Sequence, residues 1–281
     1  MFDRRELSST VAAVRDAHAP DAVALDVGTD FETIPPAAAE DLGLFVDGLD
    51  PAIYPAEWLP PDAPDALVRY AGSDFTIGMP GDGTVVWSRQ TDPPIVLVKK
   101  RAEGTPDDFL EFLLAEAFVQ VGTDAPEHFL PFFDGAYREL DAVVPLSPAD
   151  VYQIAAALYD AWLGLQTRET FREWEEARPA LYDAWADAGE RLRGRLSTLP
   201  RAVARGGTSF AEATEYACSA VKHDLDLPAP FAALDTRAFV EHGPDYGVQW
   251  AEKTFEKLDA AGDASGDDAR GNGADEDAAD E

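Results

Sequence analysis

Residues 75–98 read FTIGMPGDGTVVWSRQTDPPIVLV, and this stretch decides the fold class. Runs rich in β-branched and aromatic residues alternate in it with residues that favour turns, a pattern that predicts short strands joined by hairpins. The turns fall at Pro80–Gly83, whose residues tolerate positive φ, and at Thr91–Pro94. The predicted strands are Phe75–Met79, Thr84–Gln90 and a third that begins with Ile95–Val98, and Leu67–Tyr70 is a candidate fourth.

These strands predict a small antiparallel β-meander at about residues 67–101, and a sheet of this size needs other elements to cover its apolar face. The next segment supplies a helix. Pro106 suits a first helical position, and Asp107 and Asp108 complement the helix dipole. Apolar residues up to Val121 cover more than one face of this helix, which predicts a place in the core. The sequence therefore predicts an α+β fold in which the meander packs on helices.

Apolar residues continue at helical spacing from about residue 105 to Leu258, which predicts a mainly helical C-terminal half. Ser209 and Glu212 form a capping box at the start of one of these helices. Because the meander is too small to be stable alone, we expect residues 1–258 to form a single α+β domain. Three other helices are predicted at residues 148–165, 168–177 and 179–196.

The last residues, 259–281, differ sharply in composition from the rest. They contain no aromatic and no large aliphatic residue, and they hold nine acidic residues against Arg270, a formal charge of −8. Such a segment cannot bury enough apolar surface to offset the entropy that is lost on ordering. The sequence therefore predicts a disordered acidic tail.

The whole chain is acidic, with 54 Asp and Glu residues against 22 Lys and Arg residues and a formal net charge of −32. Five of the cations are lysines, which leaves 17 arginines. At ordinary ionic strength such repulsion would weaken the fold, whereas at ~1 M salt a Debye length of about 3 Å screens it. This balance predicts a halophilic protein of a salt-filled cytoplasm. An acidic protein of ordinary cells is the alternative.

Other features of the sequence are also typical of a cytoplasmic protein. Cys218 has no second cysteine with which to form an intramolecular disulfide, which fits a reducing compartment. The first seven residues lack the apolar stretch of a signal peptide, and no run approaches the roughly 18 apolar residues of a membrane span. We therefore expect a soluble protein that does not enter a membrane.

One six-residue sequence, Ala-Leu-Tyr-Asp-Ala-Trp, occurs twice, as Ala157–Trp162 and as Ala180–Trp185. Both copies lie in predicted helices, where Leu and Trp four positions apart share a face. We interpret the repeat as two helices that present similar core residues to one seam. A pocket of paired aromatic residues is the alternative.

Arginines are concentrated between Glu190 and Glu212, where the sequence has no acidic residue. We predict that this Arg191–Arg205 segment is a contact surface for a protein partner or an anionic ligand, with the protein's own acidic residues or tail as another partner. About five phosphate contacts would weaken roughly a millionfold between about 0.15 M and about 3 M salt, which disfavours nucleic acid. The arginines are Arg191, Arg193, Arg195, Arg201 and Arg205.

The sequence contains few residues in arrangements typical of catalytic or metal sites. Cys218 and His223 are five positions apart on a predicted helix, which turns them about 140° apart, and no His-Glu-x-x-His or paired-cysteine motif occurs. We therefore predict no metal and no cofactor, and a non-catalytic interaction or regulatory protein. The alternative is a small-molecule enzyme whose site combines dispersed carboxylates with His223 and His242. The sequence leaves the oligomeric state open.

Overall fold

The computed structural model describes residues 2–31, 34, 36–72, 77 and 83–271. Within them, one four-stranded sheet and one pair of short strands are formed. The strands are β1 Phe2–Arg4, β2 Val23–Val27, β3 Gly48–Leu49, β4 Val85–Ser88, β5 Thr91–Asp92 and β6 Ile95–Val98.

Most residues of the described chain are in helices. The predicted helices at 148–165 and 168–177 are in fact one continuous helix. At the predicted break, the Thr167 hydroxyl donates to the Leu163 carbonyl one turn earlier in the same helix. The helices are α1 Ser9–His18, α2 Pro36–Leu42, α3 Asp65–Ala71, α4 Asp107–Val121, α5 Phe129–Phe133, α6 Ala136–Val143, α7 Pro148–Ala177, α8 Pro179–Leu196, α9 Leu199–Ala204, α10 Phe210–Val221 and α11 Arg237–Gly271.

The α+β class is confirmed, but the prediction of an antiparallel meander is wrong, because the sheet is mixed. Its strand order is β1-β2-β6-β4. The predicted hairpin is present as the antiparallel pair of β4 and β6. Strand β2, from a distant part of the sequence, lies parallel to β6 with Ala24 opposite Val96, and β1 adds an antiparallel edge.

The candidate fourth strand at Leu67–Tyr70 is part of helix α3 instead. Leu67, Tyr70 and Ala71 are buried while Val68 is exposed, which is the three-to-four-residue spacing of a helix face. The predicted strand Phe75–Met79 lies outside the described residues apart from Ile77, and so does the turn before Gly83. That strand therefore stays a prediction.

Both faces of the sheet are covered, which explains why β6 is apolar at every position. Val96 lies in one core with Phe118 of α4, whereas Leu97 lies in a second core with Leu42 of α2. Helix α4 also packs against α1, α7 and α8. It is thus the predicted cover of the sheet and the link to the helical half.

The helical half has its own core, in which α7 packs along α10 and against α5, α6 and α11. The predicted capping box is confirmed, since Ser209 and Glu212 bond each other's backbone N–H groups. Lys222, directly after α10, meets α7 at Gly164. This crossing places the end of α10 beside the residues that form the candidate site.

The last helix is kinked, and its C-terminal part extends beyond the core. Gly243, with φ of 47°, kinks α11 before Pro244. Buried side chains end at Phe255, and residues 256–260 are exposed. The chain continues as α11 to Gly271, so the predicted tail begins inside this helix, and residues 272–281 lie outside the described part. Disorder of the tail and the single domain of residues 1–258 stay predictions.

Candidate functional site

A cavity of about 490 Å³ lies between the sheet edge and helix α7. Among the described residues, β4 with the preceding Gly83 lines one side and α7 lines another, and further lining residues come from α3, α4, α10 and the segment before α5. We call it the site cavity. Its described lining residues are Tyr70, Gly83, Val85, Val86, Trp87, Gln120, Glu127, His128, Tyr152, Gln153, Ala156, Ala157, Tyr159, Asp160, Leu163 and Glu215.

Hydrogen bonds fix two of the aromatic walls. The Trp87 indole N–H donates to Oε1 of Gln120 over 2.8 Å, and the Tyr159 hydroxyl donates to the Pro126 carbonyl over 2.6 Å. The Arg89 guanidinium lies 5.1 Å from the Trp87 ring centroid. These rings are therefore held in place rather than free to reorient.

His128 is a buried neutral residue of the cavity wall. Burial lowers its pKa to about 3. Its Nδ1 accepts from the Leu130 N–H, so the proton of the neutral ring is on Nε2, which lies 2.5 Å from the Tyr70 hydroxyl and 3.0 Å from the Tyr54 hydroxyl. The ring therefore caps the N-terminus of helix α5 and holds the hydroxyl groups of Tyr54 and Tyr70 in place.

The Glu127 carboxyl group holds the loop after β4 in place through hydrogen bonds. Its two oxygens accept from the Arg89 backbone N–H over 3.0 Å and from the Gln90 side-chain amide over 2.9 Å. Burial, the largest effect, raises the pKa of this carboxyl although those bonds lower it. Glu215 is likewise engaged, since it accepts from the Gln153 amide over 2.5 Å.

Asp160 differs from these carboxylates. In the described part of the chain, no donor bonds its oxygens. Asp160 is an exposed residue that lines the cavity, yet protein atoms crowd its carboxyl group, and this desolvation raises its pKa to about 7. Lys222 lowers the pKa, whereas Glu116 and Glu215 raise it. Asp160 thus changes charge near neutral pH.

Near Asp160 lies a partly buried ion pair. The Lys222 ammonium donates to Oε1 of Glu116 over 2.8 Å, and the exposed fractions of the two side chains are 28% and 8%. Burial lowers the pKa of Lys222, but Glu116 and then Asp160 outweigh it, so the net change is upward. The ammonium is therefore shared electrostatically between two carboxylates.

Replacing Asp160 should change stability in a pH-dependent way. The raised pKa means that the folded protein binds this proton more tightly than the unfolded chain, so ionisation destabilises the fold as pH rises from about 4 to about 7. We expect Asp160→Asn to raise the free energy of unfolding at about pH 8 by about 1–2 kcal/mol, a figure reduced because cavity water reaches the side chain.

Urea unfolding at constant KCl measures this effect, and at about pH 4 the gain should disappear because both side chains are then neutral. Asp183→Asn is the matched control, since Asp183 holds the same place in the second copy of the repeat and is likewise exposed, but does not line the site cavity. A gain for Asp160→Asn that is the same at both pH values would contradict the prediction.

The five predicted contact arginines do not share one face. Arg191 pairs with Asp187 and Arg193 with Glu190 along α8, while the Arg195 guanidinium donates to the Tyr216 hydroxyl and lies 4.9 Å from its ring centroid. Arg201 and Arg205, in and after α9, are exposed, and no acidic residue of the described chain pairs with them. None of the five lines the site cavity.

A second, shallower groove of about 420 Å³ runs beside α8. Arg193 and His223 line it, and the His223 ring stacks on Trp185 with centroids 5.8 Å apart. Burial, and then Lys222, lowers the pKa of His223 to about 3. The structure does not bring His223 and His242 together, because His242 is exposed on α11 and lines neither the groove nor the site cavity.

The two copies of the repeat serve different cores. Leu158 lies in the core of the helical half, whereas Leu181 and Trp185 lie in the core beside the sheet. The core interpretation is therefore confirmed, but the single seam is wrong. Each copy also borders one cavity, with Tyr159 and Asp160 at the first and Tyr182 and Trp185 at the second.

Metal and thiol chemistry find little support in the described chain. Among its residues, no three His, Cys, Asp or Glu side chains are placed to share a metal ion. Cys218 is buried, and its pKa is raised well above the usual value, chiefly by burial. A buried neutral thiol of this kind is a small core residue.

The sequence contained a weak signal for part of this site. Glu116 interrupts an otherwise apolar stretch of α4, and a carboxylate there needs a buried partner. Asp160 carried a signal only through its place in the repeat. No pattern in the sequence indicated that Lys222 and Glu116 would meet, because 106 positions separate them.

Fold and cavity together define the class: an α+β protein with a mixed sheet and a cavity between sheet edge and helices. Of the helices in the part of the chain that the structure describes, none has the length and apolar character needed to cross a lipid bilayer. The chain belongs to the family of unknown function DUF7089, whose model matches residues 1–258. No curated protein and no solved structure matches it.

Proposed function

We propose that this protein is a non-catalytic, regulatory binding protein that holds a small molecule in the site cavity. The observation that carries the proposal is the cavity itself, whose volume of about 490 Å³ is within the usual range for small-molecule sites. Its walls are mainly apolar and aromatic, with a few polar groups held in place by hydrogen bonds. Such preorganised sites bind ligands with little loss of side-chain entropy.

The enzyme alternative has less support. Glu127 and His128 are occupied by structural hydrogen bonds, and His223 and His242 are outside the cavity. Asp160 has the pKa expected of a proton-transfer group near neutral pH, but the described lining of the cavity offers it no activated nucleophile as a partner.

A cavity-filling variant tests the proposal. Ala156 lines the cavity on α7, so we expect Ala156→Trp to abolish the binding of fragments that ligand-observed NMR detects with the natural chain. The control is Ala180→Trp, at an exposed position on α8. The proposal is overturned if no fragment binds the natural chain, or if fragments bind Ala156→Trp equally well while it remains folded by circular dichroism.

The Arg191–Arg205 segment supports a second candidate function, recognition of an acidic protein partner. Arg201 and Arg205 favour it, because they are exposed and have no acidic partner within the described chain. Arg201→Gln with Arg205→Gln should abolish capture of a specific partner from lysate at native salt. The control pair, Arg191→Gln with Arg193→Gln, removes arginines that are already paired and should keep it. Equal capture by both pairs argues against this surface, and loss of the partner on nuclease treatment would point to nucleic acid.

We also infer that the protein works in a cytoplasm of high salt. Of the net charge of −32, the tail accounts for −8, which leaves −24 on residues 1–258. Most of the excess therefore belongs to the folded body, where repulsion acts directly on stability.

A KCl titration measures this dependence. We expect the urea midpoint of unfolding to rise steadily from about 0.1 M to about 3 M KCl, as the Debye length falls from about 10 Å to less than about 3 Å. A protein that is already fully stable at about 0.1 M KCl would contradict salt adaptation.

A further inference from the structure

The charged residues among the described lining of the site cavity all have one sign. Glu127, Asp160 and Glu215 contribute carboxylates, and no lysine or arginine is among the described lining residues. Arg89 bonds the carbonyl groups of Thr123 and Ala125, and Lys222 pairs with Glu116. Lys222 also favours the charged form of Asp160, but within the described chain it makes no hydrogen bond to that carboxylate. The cavity is partly open to solvent, and carboxylates that line such a cleft attract positive charge, because its low-dielectric walls strengthen the field.

The aromatic walls reinforce that preference. Tyr152 and Tyr159 belong to the same face of α7 as Gln153 and Ala156, and Tyr70 of α3 also lines the cavity. Ring faces attract ammonium and guanidinium groups through their quadrupole, most strongly where water is excluded. Aromatic walls around a carboxylate therefore favour an organic cation over a neutral molecule of the same shape.

We propose that the ligand of the site cavity is an organic cation, whose ammonium or guanidinium group donates hydrogen bonds to Asp160 and whose apolar part lies against the tyrosine rings. This inference rests on the proposed function, since it names the ligand class of the same cavity. Asp160 is the acceptor because donors in the described chain already occupy Glu127 and Glu215.

A bare metal ion is a poorer occupant. Hard cations need several oxygen ligands converging on one point, and no such group of three acidic residues is found among the described residues. An ion would also leave the aromatic walls unused. One free acceptor of the described lining, beside an apolar wall, is better suited to an organic cation than to a metal ion.

Binding should be linked to the ionisation of Asp160. Glu116 of α4 and Glu215 of α10 favour its protonated form, Lys222 favours the carboxylate, and Cys218 beside it is neutral. A bound cation adds a second positive charge and favours the carboxylate further. Affinity should therefore rise with pH by up to about tenfold per unit below about pH 7 and level off above it.

The test compares phenethylammonium with phenethyl alcohol, two probes of similar shape that differ in charge. Calorimetric titration at about 2 M KCl and about pH 8 should show the ammonium binding the natural chain at least about tenfold more tightly, since charge-assisted hydrogen bonds are the stronger ones. Asp160→Asn should bring the two affinities close together. Asp183→Asn, on an exposed face of α8, should leave the preference intact.

The outcomes separate this inference from the proposed function. If phenethyl alcohol binds as tightly as the ammonium and Ala156→Trp abolishes both, the cavity binds small molecules but is not selective for cations. If the ammonium does not bind, or binds Asp160→Asn with unchanged preference and no pH dependence, the inference is overturned. Loss of all fragment binding would overturn the proposed function as well.

Discussion

Lys222→Met is expected to lower the free energy of unfolding by about 3–5 kcal/mol, the cost of leaving a buried charge without its partner. Methionine keeps the length and apolar stem of lysine, so the change removes the ammonium and little else. Glu116 then remains on α4 with an exposed side-chain fraction of only 8% and no cation within the described chain to replace Lys222.

Two further variants separate the charge effect from packing. Glu116→Gln combined with Lys222→Met removes both charges and should recover most of the loss, because the buried charge is gone. Arg237→Gln breaks an exposed pair with Glu241 and should change stability by less than about 1 kcal/mol. Urea unfolding at constant KCl measures all three. A small effect of Lys222→Met alone would mean that water solvates Glu116.

Gly164→Ala is expected to lower the free energy of unfolding by about 1–3 kcal/mol, although alanine is the better helix former. A Cβ at position 164 would lie 2.6 Å from Cβ of Lys222 and 3.0 Å from its Cα. Because backbone as well as side chain is in the way, α7 and the end of α10 must move apart, and well-packed helices resist such a shift.

Gly194→Ala is the matched control on α8. No atom lies within 4 Å of a Cβ built there, so the helix propensity of alanine should act alone and raise stability by about 0.5–1 kcal/mol. Opposite signs for the two substitutions would establish that close approach at α7 governs the first. Stabilisation by both would show that the crossing can open without cost.

Local patterns predicted several elements correctly. The turn residues at 91–94 and the apolar runs around them gave the hairpin of β4 and β6. Pro106, Asp107 and Asp108 predicted the start of α4, and Ser209 with Glu212 predicted that of α10. Each of these signals acts between residues a few positions apart, so the sequence shows both partners at once.

The predictions were wrong where contacts between residues far apart in the sequence determine the structure. The sheet became mixed because β2 pairs with β6 across a long separation, and no local pattern indicates which strand will lie beside which. Leu67–Tyr70 has few enough residues to fit a strand or a helix, and the core that buries Leu67 and Tyr70 selected the helix. The repeat misled for the same reason, because identical helix faces can serve different cores.

The sequence by itself determined the acidity, the α+β class, the starts of α4 and α10, the hairpin of β4 and β6, and the position of the arginines, because composition and short-range spacing are properties of the chain alone. Only the tertiary structure decided the cavity, since it brings the edge strand, α7 and α10 together around Asp160. It also decided the ionisation of that residue, because a pKa depends on burial and on charges such as Lys222 and Glu116 that folding places nearby.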